Sequence, residues 1–127
     1  MTTPAELEGA PVLVVEDDPD IREVYRRVLV KLGCEVRLAD SAAAAFALVE
    51  AGFTPKVAYV DLGLPDLCGG EVIARLRTMG LATTCAFVVA SGSGDHAAVL
   101  ADADAVMAKP FGVAALRTLT RTLVTPT

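Results

Sequence analysis

Four hydrophobic runs in this chain end on residues able to do chemistry. "PVLVVEDD" delivers Glu16 and Asp17, "KVAYVDLG" delivers Asp61, "CAFVVAS" delivers Ser91 and "DAVMAKP" delivers Lys109. Singly, each has a plainer reading: the acids could cap a helix, Asp61 could brace a turn, and Lys109-Pro110 could be a surface turn. Brought to one rim, they form a set with a shared purpose. Two carboxylates about 4 Å apart repel by roughly 4 kcal/mol at an effective dielectric near 20. Three gathered acids therefore call for cations, of which Lys109 supplies one and a divalent ion the rest. Hard carboxylate and carbonyl oxygens, with no Cys or His among them, suit Mg²⁺ rather than zinc. Mg²⁺ retains open positions for a phosphoryl oxygen, so such a site can present a phosphoryl donor to a carboxylate nucleophile.

The elements between these runs decide whether the residues meet. "PVLVVE" is β-branched and continuous, as expected of a strand buried on both faces. A helix follows, with Asp18 as N-cap, Pro19 at its first position and Gly33 closing it. Its apolar stripe runs through Ile21, Val24, Tyr25, Val28, Leu29 and Leu32. "CEVRLA" alternates and reads as an edge strand, whose following Asp40 and Ser41 look like capping residues only. Ser41 caps a helix that ends at Gly52. "KVAYVD" is a third strand, 70–79 a helix, and "CAFVVAS" a fourth strand. Residues 95–101 hold a short helix at best, "DAVMAKP" a fifth strand, and Val113, Leu116, Leu119 and Leu123 stripe a last helix. Five strand-then-helix units predict a doubly wound α/β domain with a parallel sheet and helices on both faces. In such sheets the site lies beyond the carboxyl ends of the strands, where strand order reverses. All four runs point there.

Composition narrows the alternatives. The 127 residues suit one domain, 54% of them hydrophobic and only 5% aromatic, so Ala, Val and Leu build the core. A net charge of −5 argues against a nucleic-acid or anionic-membrane surface. The longest apolar run, 42–49, is too short to span a bilayer, and the N-terminus lacks the basic start and apolar stretch of a signal peptide. Three dispersed cysteines, Cys34, Cys68 and Cys85, suit reduced thiols in a cytoplasm. With no C-x-x-C pair and His96 the single histidine, a metal site built on them is not expected. The first ten and last three residues read as loose ends.

These residues carry a resemblance. The pieces "VLVVEDDPDIRE", "VDLGLPDLCGGE", "FVVASG" and "MAKPF" occur in the order and positions of the receiver domain of bacterial two-component response regulators. The resemblance covers 11–124 and implies a flavodoxin-like five-stranded sheet of order 2-1-3-4-5. By that likeness Asp61 accepts a phosphoryl group from a sensor histidine kinase or a histidine phosphotransfer protein. Asp17 is a direct Mg²⁺ ligand and Glu16 acts through water, while Asp61 and the main-chain carbonyl of Gly63 complete the protein's share. Ser91 hydrogen-bonds the phosphoryl group, and Lys109 pairs with a phosphoryl oxygen beside a cis bond to Pro110. Pro65 and Gly69 match the tight loop after the acceptor. The implied activity is slow self-catalysed transfer and hydrolysis rather than enzymatic turnover. No residues follow Thr127 to form an output domain, so the expected reading is a stand-alone receiver signalling through a downstream protein partner; a domain excised from a longer regulator is the alternative.

Two departures accompany the likeness. The stretch from Ser91 to Lys109 is short by about one helical turn, which implies a shortened fourth helix. Three residues before Lys109, where the family often has Tyr or Phe, stands Val106, so readout through a rotating ring is not expected. Ordering of 92–104 is the expected substitute. "ASGS" at 90–93, with Phe87 upstream, is similar to a single-domain subgroup with a Phe-Ala-Thr-Gly-Tyr-like motif, although Val88 and Val89 intervene and Ser93 replaces the aromatic. Two other functions compete. A Mg²⁺-dependent phosphohydrolase with Asp61 as nucleophile would favour a second acid at position 63, which is glycine. A flavodoxin-like cofactor binder would need a Ser/Thr/Gly-rich phosphate loop after the first strand, where this chain has acids.

Overall fold

Asp18, Pro19 and Gly33 bound the first helix, and each acts as its chemistry dictates. In the computed structural model, which describes residues 7–92 and 103–124, the Asp18 side chain accepts from the backbone N–H groups of Asp20 and Ile21. The helix α1 (Pro19–Lys31) follows β1 (Pro11–Val15). Gly33 turns the chain away at φ 95°, a conformation that costs other residues more. Next come β2 (Glu35–Ala39), α2 (Ala42–Glu50), β3 (Val57–Asp61), α3 (Gly69–Leu76), β4 (Ala86–Ser91), β5 (Ala105–Ala108) and a C-terminal helix (Val113–Val124).

The five strands form one sheet of order β2-β1-β3-β4-β5, every pair parallel. Alternate strand residues face opposite sides, and each side has its own core. Val12, Val14, Val57, Tyr59, Val88 and Met107 pack with α1 and the C-terminal helix. Leu13, Val15, Ala58, Val60, Phe87 and Val89 pack with α2 and α3. Extending the alternation by one step assigns Glu16, Asp61 and Lys109 to the first of these faces. The pairing of Val15 with Val60 then sets Glu16 beside Asp61. The sheet's register thus assembles the acids.

Several expectations are modified. The loose N-terminal segment is shorter than ten residues. Leu7 and Ala10 are buried against α1, and the N–H groups of Leu7 and Gly9 donate to the carbonyls of Leu32 and Gly33. The third helix begins at Gly69 rather than 70 and ends at Leu76, passing into a wide π turn (Arg77–Leu81) interrupted by Gly80 at φ 103°. The edge strand β2 buries only Ala39 fully, so its exposure is broader than strict alternation. The short helix expected at 95–101, the shortened fourth helix, His96, the subgroup motif at Ser93 and most of 92–104 lie outside the described residues. Cys34 and Cys85 are buried and Cys68 is exposed, all unbridged. Among the described residues no helix is long and apolar enough to cross a membrane.

Beneath the acids lies an aromatic cluster. The Tyr25 ring sits 5.2 Å from Tyr59 and 4.9 Å from Phe111, between centroids. Tyr59 hydrogen-bonds Thr120 across the core. The Thr120 hydroxyl already donates to the Leu116 carbonyl at 2.7 Å. Having one proton, it can only accept from Tyr59. Removing the donor in Tyr59→Phe should therefore cost about 1 kcal/mol, whereas Thr120→Val strands a buried phenol and should cost about 1–3 kcal/mol. Denaturant melts of the two variants check this ordering; the reverse order would show that the donor assignment is wrong.

Candidate functional site

Glu16 is the most enclosed group of the site, only 1% exposed. One carboxylate oxygen accepts from Lys109 Nζ at 2.5 Å and the other from the Asp18 N–H at 3.2 Å. Lys109 Nζ also lies 3.2 Å from Asp61 Oδ1, so a single cation bridges two acids from the ends of β1 and β3. Oxygens of Glu16, Asp17 and Asp61 all fall within 4.8 Å of one another. Asp17 is exposed at the mouth. The expected neighbours therefore meet, and Glu16 is bound directly to the lysine.

Titration follows from this crowding. Burial pushes the Glu16 carboxyl up to about 7, opposed by Lys109 and Asp18 and assisted by the negative Asp61. Burial acts on Asp61 in the same sense, but hydrogen bonds from Glu16 and the Gly63 N–H, with the Lys109 charge, hold it below its ordinary value. Burial disfavours charge on Lys109 as well, yet Glu16 and Asp61 outweigh it and raise its affinity for the proton. The three groups share charge by leaving one acid charged, one protonatable and the lysine cationic. Asp61 is thus the acid held in its charged form, the form in which a carboxylate can act as a nucleophile.

The loop after Asp61 is shaped around it. Gly63 donates its N–H to Asp61. A Cβ on Gly69 would lie 2.8 Å from the Asp61 carbonyl oxygen and 3.1 Å from Leu62 Cα, so only glycine permits this return of the chain. Ser91 ends β4 half-buried, and its carbonyl accepts the Lys109 N–H at 2.8 Å. Strands β4 and β5 thus fix where the lysine leaves the sheet. The Lys109-Pro110 peptide is cis. Val106 is 47% exposed on β5.

Two contributors escape sequence reasoning. Arg22 Nη1 donates to the carbonyls of Glu16 and Asp17 at 2.9 and 3.0 Å, holding the turn that carries both acids. Its spacing within α1 offers no signal, because the partners precede the helix. Asp66 bonds the start of α2 from 24 positions away. Nothing local marks that contact.

The donor set is chemically coherent. Three carboxylates within ligand distance of one another offer hard oxygens to a small divalent cation, and no soft ligand intrudes. The residues present therefore fit Mg²⁺.

Comparison with known proteins points the same way. The response regulator receiver domain family matches residues 12–121. The transcriptional regulatory protein KdpE of Mycobacterium tuberculosis is 36% identical over 103 residues, 80% of this chain and 45% of that protein. The chain thus spans about half the length of the curated relative it matches. A CheY-like receiver domain from Methylobacillus flagellatus superposes with TM-score 0.77 at 26% identity, covering 91% of this chain and 99% of the other. The response regulator TrrA of Thermotoga maritima, solved with Mg²⁺–BeF, gives TM-score 0.78 at 23% identity, covering 89% and 97%, a likeness of fold. With nearly its whole length matched and its acids drawn to one sheet edge, this chain belongs to the response regulator receiver domain family of two-component systems, a phosphoacceptor signalling module rather than an enzyme.

Proposed function

We propose that Asp61 is the phosphoacceptor of a cytoplasmic receiver domain spanning 11–124, phosphorylated by a sensor histidine kinase or a histidine phosphotransfer protein. The observation that carries this reading is Lys109 Nζ poised between Glu16 and Asp61. An oxygen of Asp61 attacks the phosphorus, the bond to the donor's leaving group breaks, and an acyl phosphate forms. Lys109 can leave Glu16, which is able to hold a proton, and follow the charge that appears on the phosphoryl oxygens. Ser91, at the end of the neighbouring strand, would hydrogen-bond one of them. Asp17, Asp61 and the Gly63 carbonyl would hold Mg²⁺, with Glu16 acting through water, and the ion would neutralise charge on the transferred group. The Mg²⁺–BeF bound in TrrA supports this assignment. Output then passes to a downstream protein partner, in a stand-alone receiver or as one part of a longer regulator.

The test is direct. Incubated with acetyl phosphate and Mg²⁺, the wild-type protein should gain one phosphoryl group by intact mass, and chelation of the metal should prevent it. No adduct in the presence of Mg²⁺ would overturn the reading.

A further inference from the structure

The loop between β3 and α3 is clasped at two points. At its far end Gly69 folds back, its N–H 3.4 Å from the Leu62 carbonyl. At its tip Asp66 reaches across to another helix. Its Oδ1 accepts from the Ala42 N–H at 2.9 Å and its Oδ2 from the Ala43 N–H at 3.0 Å. Those two bonds hold the Asp66 carboxyl below its usual range. The next N–H of α2, that of Ala44, is taken by Ser41 Oγ at 3.1 Å. One helix start is thus capped by two side chains, one local and one from the loop that follows Asp61.

Ser41 supplies the local cap, and the N–H groups of Ala42 and Ala43 that it leaves could be met by water, so a remote side chain is not required for the helix to start. What the Asp66 pair adds is a fixed position for the loop. Ala42 and Ala45 are fully buried against the sheet, so the start of α2 is a rigid anchor. Gly63 lies between Leu62 and Asp66. It is exposed, carries no side chain to hold it, and donates its N–H to Asp61; the metal site proposed above asks its carbonyl to stay beside the same carboxylate.

We propose that Asp66 is a positioning residue for the Mg²⁺ site. By gripping α2 with both carboxylate oxygens it holds the loop, and through it the Gly63 carbonyl, against Asp61. The inference rests on the metal-dependent phosphoacceptor reading above. Partners that orient a metal's ligands typically change its affinity by about 10–100-fold when removed.

The experiment titrates Mg²⁺ alone into the metal-free protein, followed by calorimetry, with Ser41→Ala as control. Both Asp66→Ala and Ser41→Ala should lower the melting temperature, since each uncaps α2. Only Asp66→Ala should weaken Mg²⁺ binding, by about 10-fold; Ser41→Ala should bind as wild type does. Asp66→Asn keeps one acceptor oxygen, so its loss of Mg²⁺ affinity should fall between; it replaces the alanine variant in the comparison if that variant fails to fold. Wild-type Mg²⁺ affinity in both Asp66 variants would overturn the inference while leaving the acceptor reading intact. Equal weakening in Ser41→Ala would overturn it too, by showing that helix capping alone is at work. Absence of Mg²⁺ binding in the wild type would instead remove the reading on which the inference stands.

Discussion

Asp61→Asn should take up no phosphoryl group from acetyl phosphate under conditions that phosphorylate the wild type. The substitution keeps the size of the side chain and an oxygen to accept the Gly63 N–H, so the loop should stay in place. It removes the nucleophilic carboxylate. Neither neighbouring acid is suited to replace it. Glu16 is buried, bound to Lys109 and Asp18, and pushed toward protonation. Asp17 sits exposed at the mouth, and its backbone is held by Arg22. Removing one of three crowded charges also relieves repulsion, so the variant should melt no lower than the wild type. Intact mass and a thermal melt read both expectations. An undiminished adduct in a folded Asp61→Asn protein would move the acceptor to another residue.

The site was legible in the sequence because its geometry is set by periodicity. Once the runs ending at Glu16, Asp61 and Lys109 are read as parallel strands, the pleat and register bring those residues together without further information. Asp18, Ser41 and Gly33 were legible for a similar reason, since capping depends on residues adjacent in the chain. Contacts made across the fold were not. Asp66 in "LPDL" looks like an ordinary turn aspartate, and its partners belong to a helix that begins 24 residues earlier. The ring cluster of Tyr25, Tyr59 and Phe111 unites three segments that each look like routine core. Leu7 reads as a stray apolar residue among polar ones until α1 is in place to cover it. The end of α3 shows a different limit: Gly80 marks a break, but not that the preceding turn widens to a π turn.

Lys109→Ala should separate two roles that the wild type combines, binding Mg²⁺ more tightly while phosphorylating more slowly. Lys109 lies 2.5 Å from Glu16 and 3.2 Å from Asp61, so without metal it is their main counter-charge. Deleting it leaves a buried carboxylate without its cation. Loss of one partner from such a pair costs about 3–5 kcal/mol, and Glu16 can lessen this by taking up a proton. The same deletion removes a positive charge that repels an incoming cation. Mg²⁺ affinity should therefore rise, and saturating Mg²⁺ should restore most of the lost melting temperature. Phosphoryl transfer has no such remedy, because the group that follows the developing charge is gone. Loss of one donor of this kind typically slows reaction by about 10²–10³-fold. A Mg²⁺ titration monitored by melting temperature, together with the rate of adduct formation at saturating Mg²⁺, measures the split. Weaker metal binding in Lys109→Ala would mean that the lysine holds the acids in place for the ion rather than competing with it. A wild-type rate would mean that it takes no part in transfer.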